Sequence, residues 1–234
     1  MKEGKVFYSG WHAMSSTSRP VRFAEQVPNE DIKKEPMFFN ASAKFAFEHG
    51  GPITKSFIGN LPGHVDWDNA VFDSRVHMLM PGWYPGIPGW HHDDVPRPPI
   101  PAGQHFLTAS QPDYENMSYK AVHMMGLVNA EVAPTQFIHG TCKMKQVPDG
   151  ELIYRQWHLE LEEMVKNGTV DVLEVPDRQL ILFDSFDFHQ AIPARKNGWR
   201  WFGRASIQTD RQKNVTNEIR MNAQVYLPFP MEGW

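Results

Sequence analysis

A single cysteine, Cys142, stands among 234 residues. It can neither close an internal disulfide nor build a thiolate cluster, which excludes a disulfide scaffold and a cysteine-rich zinc site. Charge of one sign is also scarce: 27 acidic against 23 basic residues leave a formal net charge of −4. The dense cationic surface of a general nucleic-acid scaffold is therefore missing, and a nucleic-acid partner is disfavoured. No apolar run approaches the ~20 residues of a membrane-spanning helix. The charged start, Met1-Lys2-Glu3-Gly4-Lys5, does not have the form of a signal peptide. Together these absences predict a soluble, cytoplasmic chain with no membrane partner.

Long helical patterns are few, whereas 19 Pro, 17 Gly and 8 Trp punctuate the chain. Residues that break helices at short intervals favour short strands joined by turns. Hydrophobic residues at 41% are enough for a sizeable core. Strands are expected over residues 75–80, 120–128, 135–144, 170–175, 179–183, 186–192 and 199–208, with a further one at 222–227. One helix, capped by Asp149 and ended by Asn167-Gly168, is expected between them, and a second over 41–49. Residues 96–118 read as a long surface loop. The pattern predicts a mainly β fold: a jelly roll, that is, a cupin-like double-stranded β-helix, with flanking helices. No linker or repeat divides the chain, so 1–234 reads as a single domain. Its core would run from about 73 to 210, with an N-terminal extension over 1–72 and a tail over 211–234.

Chemistry concentrates at His91-His92-Asp93-Asp94. A His-X-Asp triplet in extended chain places an imidazole and a carboxylate on one face, where both reach one divalent cation. The triplet occurs three times, as His64/Asp66, His91/Asp93 and His92/Asp94. The last two follow a strand and a Pro/Gly corner that would orient them. Between these overlapping registers His91/Asp93 is preferred, because Trp90 would pack behind the first ligand and Asp94 could accept a hydrogen bond from behind. A third ligand is expected from a distant strand, and His189, following the apolar run 180–183 and a turn, is the best placed. Two His and one carboxylate make the facial triad of non-haem Fe(II) oxygenases, with positions left open for a chelating co-substrate and O2. His77 and His123, in apolar strands with no acidic neighbour, read instead as core histidines.

The strand Trp199-Arg200-Trp201-Phe202-Gly203-Arg204-Ala205-Ser206 carries the next signal. Positions 200, 202, 204 and 206 share one face, which holds two guanidiniums and a hydroxyl. Cations inside a barrel demand an anionic partner, and a dicarboxylate clamp is the natural use of Arg with Ser.

From Trp90-His91-His92-Asp93 through His189 to Arg200 and Arg204-Ala205-Ser206, the chain resembles the 2-oxoglutarate/Fe(II)-dependent dioxygenases. It does so in the manner of the taurine-dioxygenase-like and phytanoyl-hydroxylase-like branches, where an Arg commonly follows the distal His at either of the two spacings seen here. One departure is Asp177-Arg178, where those proteins usually have Gly-Asp. The resemblance implies Fe(II) held by His91, Asp93 and His189, with 2-oxoglutarate as co-substrate. Its C5 carboxylate would sit on Arg204 and Ser206, and Arg200 would assist at C1 or take over the C5 role. It also implies O2 as oxidant, decarboxylation to succinate, and hydroxylation of an unactivated C–H bond in a small molecule or amino-acid derivative. An Asp at the carboxylate position argues against a halogenase. Two other readings compete: a cupin-type metal enzyme doing redox-neutral chemistry, and a non-catalytic jelly-roll binding module. Thr135 and His139 are further pocket candidates, as are Trp83, Tyr84 and Trp90.

Overall fold

The fold is taken from a computed structural model, which describes residues 4–16, 19–98, 111–115, 117–147 and 152–227. Its spine is the long strand over Gly198–Ile207, in which every second side chain turns to the opposite face. In chain order the strands are β1 (Lys5–Ser9), β2 (His12–Ala13), β3 (Ser15–Ser16), β4 (Arg19–Pro20), β5 (Met37–Phe39), β6 (Ala41–Ser42) and β7 (Val71–Leu79). Then come β8 (Val122–Val128), β9 (Thr135–Met144), β10 (Asp171–Glu174), β11 (Ile181–Asp184), β12 (His189–Ala191), β13 (Gly198–Ile207) and β14 (Glu218–Arg220). The helices are α1 (Asn29–Lys34), α2 (Ala43–His49), α3 (Pro52–Gly59) and α4 (Ile153–Lys166), with a 3-10 turn at Asp210–Asn214.

Two main antiparallel sheets result, beside the two-stranded pairs β5-β14 and β3-β4. The larger has the order β2-β11-β8-β13-β7-β6, and in the smaller β9 pairs with β1, β10 and β12. An isolated bridge between His91 and His189 continues the smaller sheet beyond β12. The protein is thus mainly β, as the Pro/Gly punctuation indicates. Three apolar layers follow from the alternation. Met125, Leu127, Phe137, Ile181 and Phe183 pack between the sheets. Outside the larger sheet, Phe72, Trp201 and Ala205 meet Ile32 of α1, Ala46 of α2 and Phe57 of α3. Outside the smaller sheet, Ile138 and Cys142 meet Trp157 and Leu161 of α4. Trp201 lies across its own strand neighbour Gly203, where a Cβ would come within 2.2 Å of the ring. Gly126, the register partner of Gly203, lies under Phe23, whose ring would be 2.4 Å from an added Cβ. Close aromatic approach, not a turn, requires glycine at both positions.

Several elements differ from expectation. The segment before residue 72 holds three helices and contributes strands to both sheets, since β1 pairs β9 and β2 pairs β11. Pro52 there is the first residue of α3, where a missing N–H costs nothing, and not a breaker. The buried Glu35 carboxylate accepts from Ile53 N (2.6 Å) and Thr54 N (3.3 Å) at the start of that helix, satisfying donors left over by the first turn. The helix expected at 41–49 begins at Ala43, capped by the Ser42 hydroxyl, which accepts from Phe45 N. α4 begins at Ile153, after an extended Leu152, and Asp149 lies outside the described residues. The tail 222–227 joins no sheet and is held by a bridge between Tyr226 and Tyr84, by His77 at the Gln224 carbonyl and by Ala223 packed on the core. Of the 96–118 loop, positions 99–110 and 116 lie outside the described residues.

Candidate metal centre

His91 and His189 face each other as a hydrogen-bonded antiparallel pair: His91 N donates to His189 O (3.0 Å) and His189 N to His91 O (3.1 Å). Opposed residues in such a pair project to the same side, and the two imidazole centroids are 4.7 Å apart. Each ring is fixed by its own neighbour two residues upstream. His91 Nδ1 donates to the Gly89 carbonyl at 2.7 Å and His189 Nδ1 to the Asp187 carbonyl at 2.9 Å. Both rings therefore carry their proton on Nδ1 and turn Nε2 inward, the arrangement that a second hydrogen bond imposes on metal-binding histidines. Asp93 Oδ2 is 3.2 Å from His189 Nε2, and Asp93 Oδ1 is 3.8 Å from His91 Nε2. One ligand atom from each of the three residues lies within 4.8 Å of the other two, a separation that a single cation can span.

The turn before His189 is built by Asp187 and Asp184. Asp187 accepts from Gly10 N (2.8 Å) and Asp184 N (2.7 Å), while Asp184 accepts from Phe186 N (2.8 Å). This turn is why the expected strand 186–192 shortens to 189–191. After Asp93, the chain bends at Asp94 with φ +50°, so strand alternation stops there. The second register is consequently not assembled. His92 turns into the outer layer, its ring 3.8 Å from that of Phe188, and its Nδ1 shares a 2.7 Å hydrogen bond with the Tyr114 hydroxyl. Trp90 is buried in that layer, donating to Glu162 Oε1 at 2.7 Å. His64/Asp66 lies apart from the group. Asp66 there accepts from Asp68 N at 3.0 Å and so closes its own turn.

The triad lines a cavity of about 650 Å³ shared with Arg200, Phe202 and Arg204 of β13. The predicted face is real, but the expected Arg204/Ser206 clamp is not formed. Arg204 is hydrogen-bonded to Asp93 and lies 3.5 Å from Asp73. Ser206 is buried deeper and shares a 2.8 Å hydrogen bond with His123. Burial alone would raise the Asp93 carboxyl, but the Arg204 guanidinium beside it holds it well below the usual carboxylate range. Burial pulls His91 down to about 4, with His189 adding to it, so the imidazole is neutral and able to act as a ligand at pH 7.

Arg200 is different. It is 3% exposed, donates to Thr135 Oγ1 at 3.1 Å, leaves Nε without a partner, and no carboxylate among the described residues pairs with it. Burial lowers it to about 9, still protonated at neutral pH. His77, opposite Arg200 on β7, donates to the Gln224 carbonyl at 2.9 Å and lines the cavity, where the sequence predicts a core histidine. Thr135 lines the cavity, but His139, Trp83, Tyr84 and Trp90 do not.

In the sequence Arg211 and Arg220 belong to a loose basic stretch that reads as a solvated face, and Asp73 and Arg75 carry no expectation; all four line the cavity. Asp73, Arg75 and His77 alternate along β7 and form the same kind of polar face as 200, 202 and 204; that signal was available. In the tail, Glu218, Arg220, Asn222, Gln224 and Tyr226 line the cavity at every second position, while Ile219, Met221, Val225 and Leu227 are exposed. Asp73 ties this side together, accepting from Asn40 N (2.9 Å) and pairing with Arg211 (2.7 Å). Burial would raise Asp73, but Arg211 and Arg204 hold it below its ordinary value. A depressed carboxylate stabilises the fold above its unfolded pKa and loses that contribution as pH falls through the folded one. Asp73→Asn is therefore expected to cost about 3 kcal/mol at pH 7. In urea titrations the gap to wild type should close as pH drops below about 4. A gap that is constant with pH would show that the charge plays no part.

No protein-family model and no curated protein matches the chain. Among solved structures it is similar to HygX from Streptomyces hygroscopicus, determined with iron bound, at 8% identity and a TM-score of 0.29. The match covers 58% of this chain and 56% of HygX, so the chain spans little more than half the length of that protein. No helix among the described residues is long and apolar enough to cross a membrane.

Proposed function

We propose that this chain is an Fe(II)/2-oxoglutarate-dependent oxygenase that hydroxylates an unactivated C–H bond of a small molecule. The observation that carries the reading is one cavity holding a His91/Asp93/His189 group beside the buried Arg200, a cation with no carboxylate partner among the described residues. Strand order supports a double-stranded β-helix core over about 73–210. Neighbours run β7, β13, β8, β11 in one sheet, and the His91 bridge, β12, β9, β10 in the other. That interleaving is what two strand ribbons give when they wind up together. The chain is read as one domain, because strands from its first residues complete both sheets.

The donor set fits Fe(II): two imidazole nitrogens with fixed tautomers and one ionised carboxylate, all from one side, leave the remaining positions open. When bound, the iron with 2-oxoglutarate and O2 supplies the oxidising power, releasing succinate and CO2. The protein's part is binding and orientation. Arg200 presents its guanidinium to the distal carboxylate of the co-substrate, and Thr135, which accepts from Arg200, keeps its own O–H to donate to the same group. Thr135 thus takes the hydroxyl role expected of Ser206. Arg204 holds the Asp93 carboxylate in place. Phe183 and Phe202 line the cavity and keep water from the reacting carbon.

A redox-neutral cupin-type enzyme would use the triad but leave Arg200 without a function, and a non-catalytic binding module would use neither. Anaerobic addition of Fe(II) followed by 2-oxoglutarate separates the three. A visible metal-to-ligand charge-transfer band is expected only on adding both. Metal binding without any keto-acid response supports the redox-neutral enzyme, and no metal binding supports the module.

A further inference from the structure

The charges around the cavity do not cancel at its mouth. Five arginines (75, 200, 204, 211 and 220) face four carboxylates (73, 93, 94 and 218). Three of the arginines are taken: Arg204 by Asp93 and Asp73, Arg211 by Asp73 and Asp94, and Arg220 by Glu218 at 2.7 Å. Arg200 and Arg75 have no carboxylate partner among the described residues. On the reading above, a divalent metal and a dianionic co-substrate enter together and cancel one another, and Arg200 faces the co-substrate. One positive charge remains, and it belongs to Arg75.

Arg75 is half-buried and anchored for binding. Its Nη1 donates to the carbonyls of Phe38 (3.0 Å) and Ser74 (2.7 Å), which fixes the guanidinium while Nε and Nη2 keep their donors. It stands opposite Phe202 on β13, between the Asp73/Arg204 and His77/Arg200 pairs, one same-face step of about 6.6 Å from each. Phe39 sits against it at 5.5 Å, and the Arg220 guanidinium stacks on the same ring at 3.6 Å. Stacking holds the Arg220 guanidinium at the mouth; Glu218 takes its Nε (2.7 Å) and Nη2 (3.5 Å), and Nη1 has no partner among the described residues. Two guanidiniums gathered on one aromatic ring, in the cavity that Asn222 and Gln224 also line, form an oxyanion site distinct from Arg200.

We propose that the primary substrate of this cavity carries an oxyanion group (carboxylate, phosphate or sulfonate) that Arg75 and Arg220 bind at the mouth, placing the rest of the molecule over the metal. The inference rests on the oxygenase reading for its geometry, but its chemistry can be read independently.

The test uses the full chain loaded with Mn(II) and saturating 2-oxoglutarate, with acetate, methylphosphonate and methanesulfonate as matched probes at constant ionic strength. Modification of individual arginines by phenylglyoxal, mapped by mass spectrometry, is the readout. At least one probe is expected to protect Arg75 saturably where chloride does not, and the tightest of the three identifies the group the substrate carries. Arg220→Gln should weaken that probe about tenfold, the value of one charge-assisted contact. Because Arg220 lies near the surface, this variant keeps the test open if Arg75→Gln fails to fold. Arg75 reacting at one rate with and without all three probes would overturn the proposal. So would wild-type probe affinity in Arg220→Gln, or protection of Arg75 by 2-oxoglutarate alone. Protection can also be measured on metal-free protein, so a missing charge-transfer band would remove the iron reading and leave this result intact.

Discussion

His189→Ala is expected to abolish metal binding while leaving the sheets folded. Loss of a residue that merely orients a ligand costs about 10- to 100-fold in affinity, so removing one of three ligands should cost at least on the order of 100-fold. The backbone bonds between 189 and 91 do not involve the imidazole, so circular dichroism should change little. His92→Ala is the matched control. Its ring packs on Phe188 and reaches Tyr114, away from the cavity, so the variant should lose stability and keep the metal. Equilibrium dialysis against Mn(II) checks both. Retained binding in His189→Ala with loss in His92→Ala would reverse the assignment of the two histidines.

Arg200→Met should make the protein more stable and useless to its co-substrate. A buried charge with no counter-charge costs several kcal/mol in effective terms, and among the described residues only the Thr135 hydroxyl and the Phe202 ring face offset it in part. An apolar side chain of similar length removes that cost, a change worth about 1–4 kcal/mol in comparable sites. At roughly 2–4 °C per kcal/mol for a chain of this size, melting should shift up by several degrees. Truncating one side of a desolvated charge pair costs about 2–5 kcal/mol, so affinity for 2-oxoglutarate should fall by about 100-fold or more. The charge-transfer band is the measure. A lower melting temperature with an unchanged band would mean that Arg200 is structural. The same substitution at Arg204 should destabilise instead, since it strips Asp93 of its arginine and leaves Asp73 with Arg211 alone.

Much of this site was legible from residue spacing. The strand limits 135–144 were read correctly because Pro134 and the apolar alternation mark them, and the shared face of 200, 202 and 204 follows from strand geometry alone. What alternation could not decide was occupancy. Nothing in Arg-Ala-Ser tells that Arg204 is satisfied by Asp93 or that Ser206 lies beside His123, because those partners come from other strands. The Thr135 hydroxyl beside Arg200 is likewise a consequence of the two sheets facing each other. α3 was missed because Pro52 and Gly51 read as breakers, when one starts the helix and the other makes room for the Glu35 carboxylate, whose Oε1 lies 2.5 Å from where a Cβ would stand. The sequence favours His91 over His92 through its neighbours, but the positive φ at Asp94 that ends the strand alternation is not marked in it, because an Asp can adopt that angle without announcing it.

The pairing of His91 with His189 through main-chain atoms gives the centre a frame that owes nothing to its own side chains. Distance between the two nitrogen donors is set by the gap between neighbouring strands, so stripping the ion leaves a socket already cut to size. Insertions in the loops between β8, β9, α4, β10 and β11, which separate the two residues in sequence, would leave that gauge untouched. Cargo specificity could thus drift in the surrounding loops while the socket stayed the same.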